Sequence, residues 1–123
     1  MADYSVNIPL PDHKRGDRWP GIAQIGPVEI DGATPPTPLA RVRMSFLRFR
    51  GRQRYVIDSQ PQQADVLAPA VIDDPELWIA SIPAVQNFLP EAGTWNWDIE
   101  FYDAANAGPV TLYKGALVVH PDV

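Results

Sequence analysis

The sequence predicts an all-β fold, a small sandwich or barrel of antiparallel strands, and three observations carry the prediction. Proline supplies 14 of the 123 residues, about 11% against a usual ~5%. A proline inside a helix removes a hydrogen bond and clashes with the preceding turn, at ~3 kcal/mol. Since the prolines are spread along the whole chain, long helices are excluded almost everywhere. The second observation is Thr94–Tyr102, where Trp95, Trp97, Ile99 and Phe101 alternate with Asn96, Asp98 and Glu100. This strict period of two puts bulky apolar groups on one face and polar groups on the other, the pattern of a half-buried antiparallel strand. Third, other strand-like segments recur at the short spacing of all-β domains.

Taken in order, Tyr4–Leu10 and Ile22–Ile30 read as strands, the latter interrupted at Gly26-Pro27. Between them, Asp12, Gly16 and Asp17 suit a turn, with His13 as a loop residue. Asp31–Pro38 (DGATPPTP) is a polar, proline-rich loop. Val42, Met44 and Phe46 share one parity while Leu47 and Phe49 take the other, which suggests a bulge near Phe46–Leu47. Arg50-Gly51-Arg52 then forms the turn of a hairpin, with Gln53–Asp58 as its return strand. Gln60–Ala70 (QPQQADVLAPA) reads as a second loop. Asp73-Asp74-Pro75-Glu76 suits a turn, with an aspartate before a tight bend. Glu76–Ile82 alternates through Leu77, Ile79 and Ser81, with Trp78 opposite, and Pro83–Leu89 has room for one helical turn. Gly93 opens the Thr94–Tyr102 strand, Asp103–Pro109 (DAANAGP) is turn-rich, and Val110–Val119 is its partner in a C-terminal hairpin over 94–119. The apolar phase shifts from Val110 and Leu112 to Leu117 and Val119, so Gly115 is the expected bulge. The whole of 1–123 reads as one domain, in which 1–38 are N-terminal strands and a proline-rich arm and 39–123 form the sandwich.

Composition narrows the chemistry. With 46% apolar and 20% charged residues the chain can offset its ordering entropy with a core. It has no cysteine, which removes disulfides, thiol catalysis, cysteine zinc sites and iron–sulfur clusters. His13 and His120 are the only histidines, too few for a His-rich metal site. No nucleophile elbow, phosphate loop, dinucleotide fingerprint or H-E-x-x-H motif occurs. Apolar runs fall far short of the ~20 residues that cross a bilayer, and Asp3 and Asn7 leave no signal-peptide core at the N-terminus. The expectation is a non-enzymatic protein with no cofactor, no metal and no membrane partner.

Charge is uneven. Arg41, Arg43, Arg48, Arg50, Arg52 and Arg54 are six of the ten basic residues, with no acid among them, whereas ten acids and one lysine follow Tyr55. A basic hairpin on an acidic body can steer association between copies or with a neighbour. A domain of pI about 4.8 without an RNA-binding signature or recognition helix is not expected to bind nucleic acid. The six arginines, with Trp19 as an aromatic plug in a charged loop segment, are the candidate inter-subunit contacts. Asp98 and Glu100 lie two apart on one strand face, roughly 7 Å from each other, loosely the separation of glycosidase carboxylates. On a polar face, however, both should stay ionised. Trp95 and Trp97, with Ile99 and Phe101, are expected in the core rather than as a sugar-stacking platform. Arg15-Gly16-Asp17 matches the integrin-binding tripeptide, and a turn is the simpler reading.

The order of four segments resembles a known group. LARVRMSF (39–46), WIASIP (78–83), EAGTWNWDIEFYD (91–103) and TLYKGALVVHPDV (111–123) follow an N-terminal strand, a charged segment and a tryptophan. Together they resemble small structural proteins of tailed bacteriophages, and are similar to the immunoglobulin-like N-terminal module of phage baseplate upper proteins. The resemblance spans roughly Leu39–Val123 and rests on Gly93, Trp97, Asp98, Glu100, Leu112, Gly115, Val119, Pro121 and Asp122. It makes Gln60–Asp74 an insert, expected as a protruding loop. It implies an immunoglobulin-like antiparallel β-sandwich and a virion component assembled in the host cytoplasm. Such a component works by contacts with copies of itself and other virion proteins in a symmetric particle, as a tail, baseplate or fibre-attachment part. A head decoration protein that cements capsomers and a carbohydrate-binding module are the alternatives.

Overall fold

The computed structural model describes residues 6–7, 10–30, 32–48, 54–60, 66–86, 88–89, 91–105 and 109–121. Among the described residues there is no helix, and the strands form two sheets. The strands are β1 (Val6–Asn7), β2 (His13–Lys14), β3 (Ile22–Ile25), β4 (Leu39–Arg48), β5 (Arg54–Asp58), β6 (Val66–Ala68), β7 (Val71–Asp74), β8 (Ile79–Ile82), β9 (Gly93–Asp103) and β10 (Pro109–His120). The large sheet runs β1-β10-β9-β4-β5-β6, with β2 also on β10, and the small one runs β3-β8-β7.

The centre of the large sheet follows the sequence pattern. β9 alternates as expected, with Trp95, Trp97, Ile99 and Phe101 buried, and pairs antiparallel with both β10 and β4. Val42, Met44 and Phe46 of β4 face the same way and are fully buried. Ile25 of β3 and Ala80 and Ile82 of β8 belong to the same apolar cluster, so the two sheets bury their apolar faces against each other, as layered β folds must. The connections complete the core. Trp19 stacks on Phe88 at 4.4 Å between ring centroids, and Phe88 meets Phe46 edge-on at 5.1 Å. Trp78 lies parallel to Phe101, and its indole N–H donates to the Thr37 carbonyl at 2.8 Å.

Several expectations need correction. Trp19 is 4% exposed and fills the chain's own core, where stacking on Phe88 removes it from the candidate inter-subunit contacts. His13 is likewise buried, in β2 and edge-on to Phe88. β4 has no bulge at Phe46–Leu47: its register against β5 and β9 is continuous there, and Leu47 is simply an outward residue, 48% exposed. The β10 bulge lies between Thr111 and Tyr113 rather than at Gly115, which pairs regularly with Trp97. The smallest residue thus sits beside the largest, and the extra residue at Leu112 is what resets the apolar phase. In place of a strand from Glu76, Pro75–Trp78 is a turn. Asp74 Oδ1 accepts from the amides of Glu76 at 3.0 Å and Leu77 at 3.2 Å, and Trp78 takes a positive φ of 57°. Consequently Trp78, Ala80 and Ile82 face inward and Leu77 outward. Pro83–Leu89 contributes no helical turn in its described part; Val85 instead forms a β-bridge with Trp19.

Strand partners also differ from an all-antiparallel sandwich. β1 and β2 run parallel to β10, and β6 runs parallel to β5. The described part of residues 1–38 supplies strands to both sheets, and Pro38 accepts a hydrogen bond from the Ala104 amide. Gln60–Asp74 contains β6 and β7, so in its described part it is not a protruding loop. Strands of two to four residues carry too little alternation to be read from sequence. The Arg50-Gly51-Arg52 turn lies outside the described residues, although β4 and β5 form the expected antiparallel hairpin arms. Arg15-Gly16-Asp17 is a turn, closed by the Asp17 amide donating to the Lys14 carbonyl at 3.1 Å. β3 ends where Gly26 takes a φ of 93°, with the Trp78 carbonyl so close that a Cβ could not fit. Only glycine satisfies both demands.

Candidate functional site

The outward residues of β4, β9 and β10 form rows across the large sheet. Arg43 faces Glu100 and then Thr111; Ser45 faces Asp98 and then Lys114; Leu47 faces Asn96 and then Ala116. Ser45, Leu47, Asn96, Asp98, Thr111 and Lys114 wall a cavity of about 400 Å³, to which Trp97 and Gly115 also contribute. The volume is within the ~300–1,000 Å³ of small-ligand sites. Three side-chain atoms of this face, Arg43 Nε, Ser45 Oγ and Asp98 Oδ1, are shut off from solvent and have no hydrogen-bond partner.

Asp98 departs from the expected exposed polar face. It is half-buried, and burial pushes its carboxyl above the ordinary range; Glu100 adds to the effect, while Arg54 and Arg43 oppose it. A carboxyl with a raised folded pKa gains stability from protonation as pH falls towards the unfolded value of ~3.9, so at neutral pH its charge is a net cost. Asp98→Asn is therefore expected to raise stability at neutral pH by up to ~1 kcal/mol, after allowance for solvent screening. The gain should shrink as pH falls towards about 4. Urea unfolding at the two pH values checks both the gain and its direction.

The candidate arginines divide by partner. Arg41 donates from Nε to Asp58 Oδ1 at 3.0 Å and from a terminal nitrogen to Oδ2, and its guanidinium lies over the Tyr102 ring, 4.9 Å from the centroid. Burial alone would push the Asp58 carboxyl up, but hydrogen bonds from Arg41 and the Gln60 amide, with the charges of Arg41 and Arg43, hold it below the usual range. Asp58 in turn raises the Arg41 guanidinium. Arg48 donates to the Ala92 carbonyl at 3.0 Å. Arg54 is exposed and pairs across from Leu47. Arg50 and Arg52 lie outside the described residues. The six arginines are thus not one continuous free patch, because Arg41 and Arg48 already serve the chain's own fold.

Trp95 and Trp97 are at most 3% exposed and offer no stacking platform, as the alternation predicts. Among the described residues, no three of His, Asp and Glu come together as a metal site. The signal for the outer-face cavity was present only in part: Ser45, Asp98 and Lys114 are visible as polar outward residues, but nothing in the sequence aligns their three strands. No protein-family model, curated protein or solved structure matches the chain.

Proposed function

We propose that the chain is a non-enzymatic structural protein of a tailed-phage virion, built as an immunoglobulin-like sandwich and used as a tail, baseplate or fibre-attachment component. One observation carries the reading. The segments whose order resembles the phage proteins are the ones on which the architecture turns: LARVRMSF begins β4, WIASIP spans β8, EAGTWNWDIEFYD contains β9, and the last segment supplies β10 from Thr111 onward. The motif residues Gly93, Trp97, Asp98, Glu100, Leu112, Gly115 and Val119 all belong to the β9–β10 hairpin. Assembly would use the exposed Arg54, together with Leu77 and Val71, which are 43% and 45% exposed.

Immunogold labelling of intact particles with antibody against this chain tests the proposal. Label on the tail is the expected result. Label over the head would replace the tail role with a capsid-cementing one. Absence of label from both intact and disrupted particles would overturn the virion role.

A further inference from the structure

The two sheets do not close completely on each other. Between β3 and the β9–β10 pair lies a second cavity, of about 150 Å³. Buried Ile25, Trp97 and Ile99 form its floor, and half-buried Leu10, Ile22 and Tyr113 form its sides. Exposed Gln24, with Gly26, stands at the mouth.

The gap persists because neither sheet can move to fill it. Gly21 and Gly26 bracket β3 with φ of 77° and 93°, and a Cβ on either would collide with the backbone carbonyl of Ile82 or Trp78. Pressed so closely along β8, β3 has no freedom to settle towards β10. On the opposite side β9 is held by hydrogen bonds to both β4 and β10. Tyr113 pairs with Ile99 across that ladder, and its ring packs 6.1 Å from the Phe101 ring. Voids larger than a water molecule are few in protein interiors, and the walls of an unfilled one forgo contacts on that side.

The walls select the occupant. A buried water needs two to four polar partners, and the floor presents only side-chain carbon, since Trp97 Nε1 is shut off from solvent. At the mouth, the Gln24 amide nitrogen already donates to the Gly26 carbonyl at 3.1 Å. No Asp, Glu, Lys, Arg or His lines the cavity, so a charged guest would lose its hydration without gaining a counter-ion. Size sets the upper limit: in another protein, an apolar cavity of about the same volume stays dry and admits benzene. Two of the walls, Trp97 and Tyr113, are aromatic, and rings favour one another in offset or edge-on contact.

We propose that this cavity between the sheets binds a small uncharged aromatic molecule, a single ring of about the size of benzene. The site lies inside the sandwich, apart from the outer-face cavity, and does not depend on the virion role.

The test is a titration of the whole ¹³C-labelled chain with benzene, toluene and phenol, followed by methyl chemical shifts. At least one ring compound is expected to give saturable shifts centred on the methyls of Leu10, Ile22, Ile25 and Ile99. Benzoate, the same ring carrying a charge, should leave these signals unmoved. Ile22→Phe and Leu10→Phe place a ring of the chain's own at the side of the cavity, where half-buried residues have room to turn inward. Each should weaken binding at least about tenfold, equivalent to ~1.4 kcal/mol. A dispersed spectrum shows that a variant is folded, and having two variants guards against the loss of one. Absence of saturable shifts with all three rings would overturn the proposal. Equal binding of benzoate would overturn it too, as would binding that survives both substitutions in folded protein. Particle labelling reads a different property, so either idea can fail alone.

Discussion

Trp95→Ala is expected to destabilise the protein by about 3–5 kcal/mol, the usual cost of removing a large aromatic from a core. Net stabilities of domains are only ~5–15 kcal/mol, so the variant should be close to unfolding at ambient temperature. Trp95 is fully buried and heads the largest buried side chains. It sits on the central strand β9, beside Arg48 on β4 and Leu117 on β10, with the Tyr55 ring 5.8 Å away. Both flanking strands are held by hydrogen bonds on either side, which limits how far the cavity can collapse, and uncollapsed volume is what makes such truncations expensive. Its indole N–H donates to the Glu91 carbonyl at 3.1 Å. Trp95→Phe, which keeps a ring but loses that donor, should be less destabilising than the alanine variant. Urea unfolding followed by far-ultraviolet circular dichroism orders the three proteins. A Trp95→Ala loss below about 1 kcal/mol, the level of an ordinary surface change, would contradict the placement of this ring.

The legible part of the fold was the part with long alternation. β9 and β10 span 11 and 12 residues, long enough for a period of two to identify the inward face and for a phase change to reveal a bulge. The bulge was misplaced because glycine marks where a backbone can deform, whereas the ladder deforms at Leu112, which is buried. Trp19 and His13 were misread for a related reason. They occur in a charged, turn-rich segment, and local composition says nothing about a connection passing over an open sheet face. Trp19 is drawn in by Phe88 and by its bridge to Val85, a partner 66 residues away. The parallel edges were equally hidden. Val6–Asn7 and His13–Lys14 are two residues each, and their direction relative to β10 is a tertiary property.

The site was legible only at the level of residue type. Arg43, Ser45, Asp98 and Glu100 were all recognisable as outward groups, but strand register decides that Ser45 meets Asp98 and Arg43 meets Glu100. A one-residue slip would exchange the inward and outward sets. Burial of Asp98 was missed because the outward face of a strand was equated with solvent. The arginines show the opposite error: a run of like charge reads as a free patch, yet Arg41 finds Asp58 across the hairpin, 17 residues away.

That pair gives the second large effect. Asp58 is nearly inaccessible, with 4% of its side chain exposed, whereas Arg41 keeps 28%. Truncating the two partners should therefore have unequal consequences. Asp58→Ala releases an arginine that can turn towards water, and costs about 1–3 kcal/mol through lost hydrogen bonds. Arg41→Ala leaves a carboxylate buried without its principal partner, which costs about 3–5 kcal/mol. The pH dependence separates the causes. In the native protein the Asp58 carboxyl is held below its unfolded value. Its contribution is thus present above ~3.9 and is lost as pH falls below that value. In Arg41→Ala, burial is opposed, among the described residues, by the Gln60 amide and Arg43, and the carboxyl should move above its unfolded value. Protonation then relieves the buried charge, so the variant should recover part of its deficit as pH is lowered from about 7 towards 4. Asp58→Ala carries no titrating group at this position and should show no such recovery. Urea unfolding of the three proteins across that range measures each slope, and an Arg41→Ala deficit that grows on acidification would refute a buried Asp58.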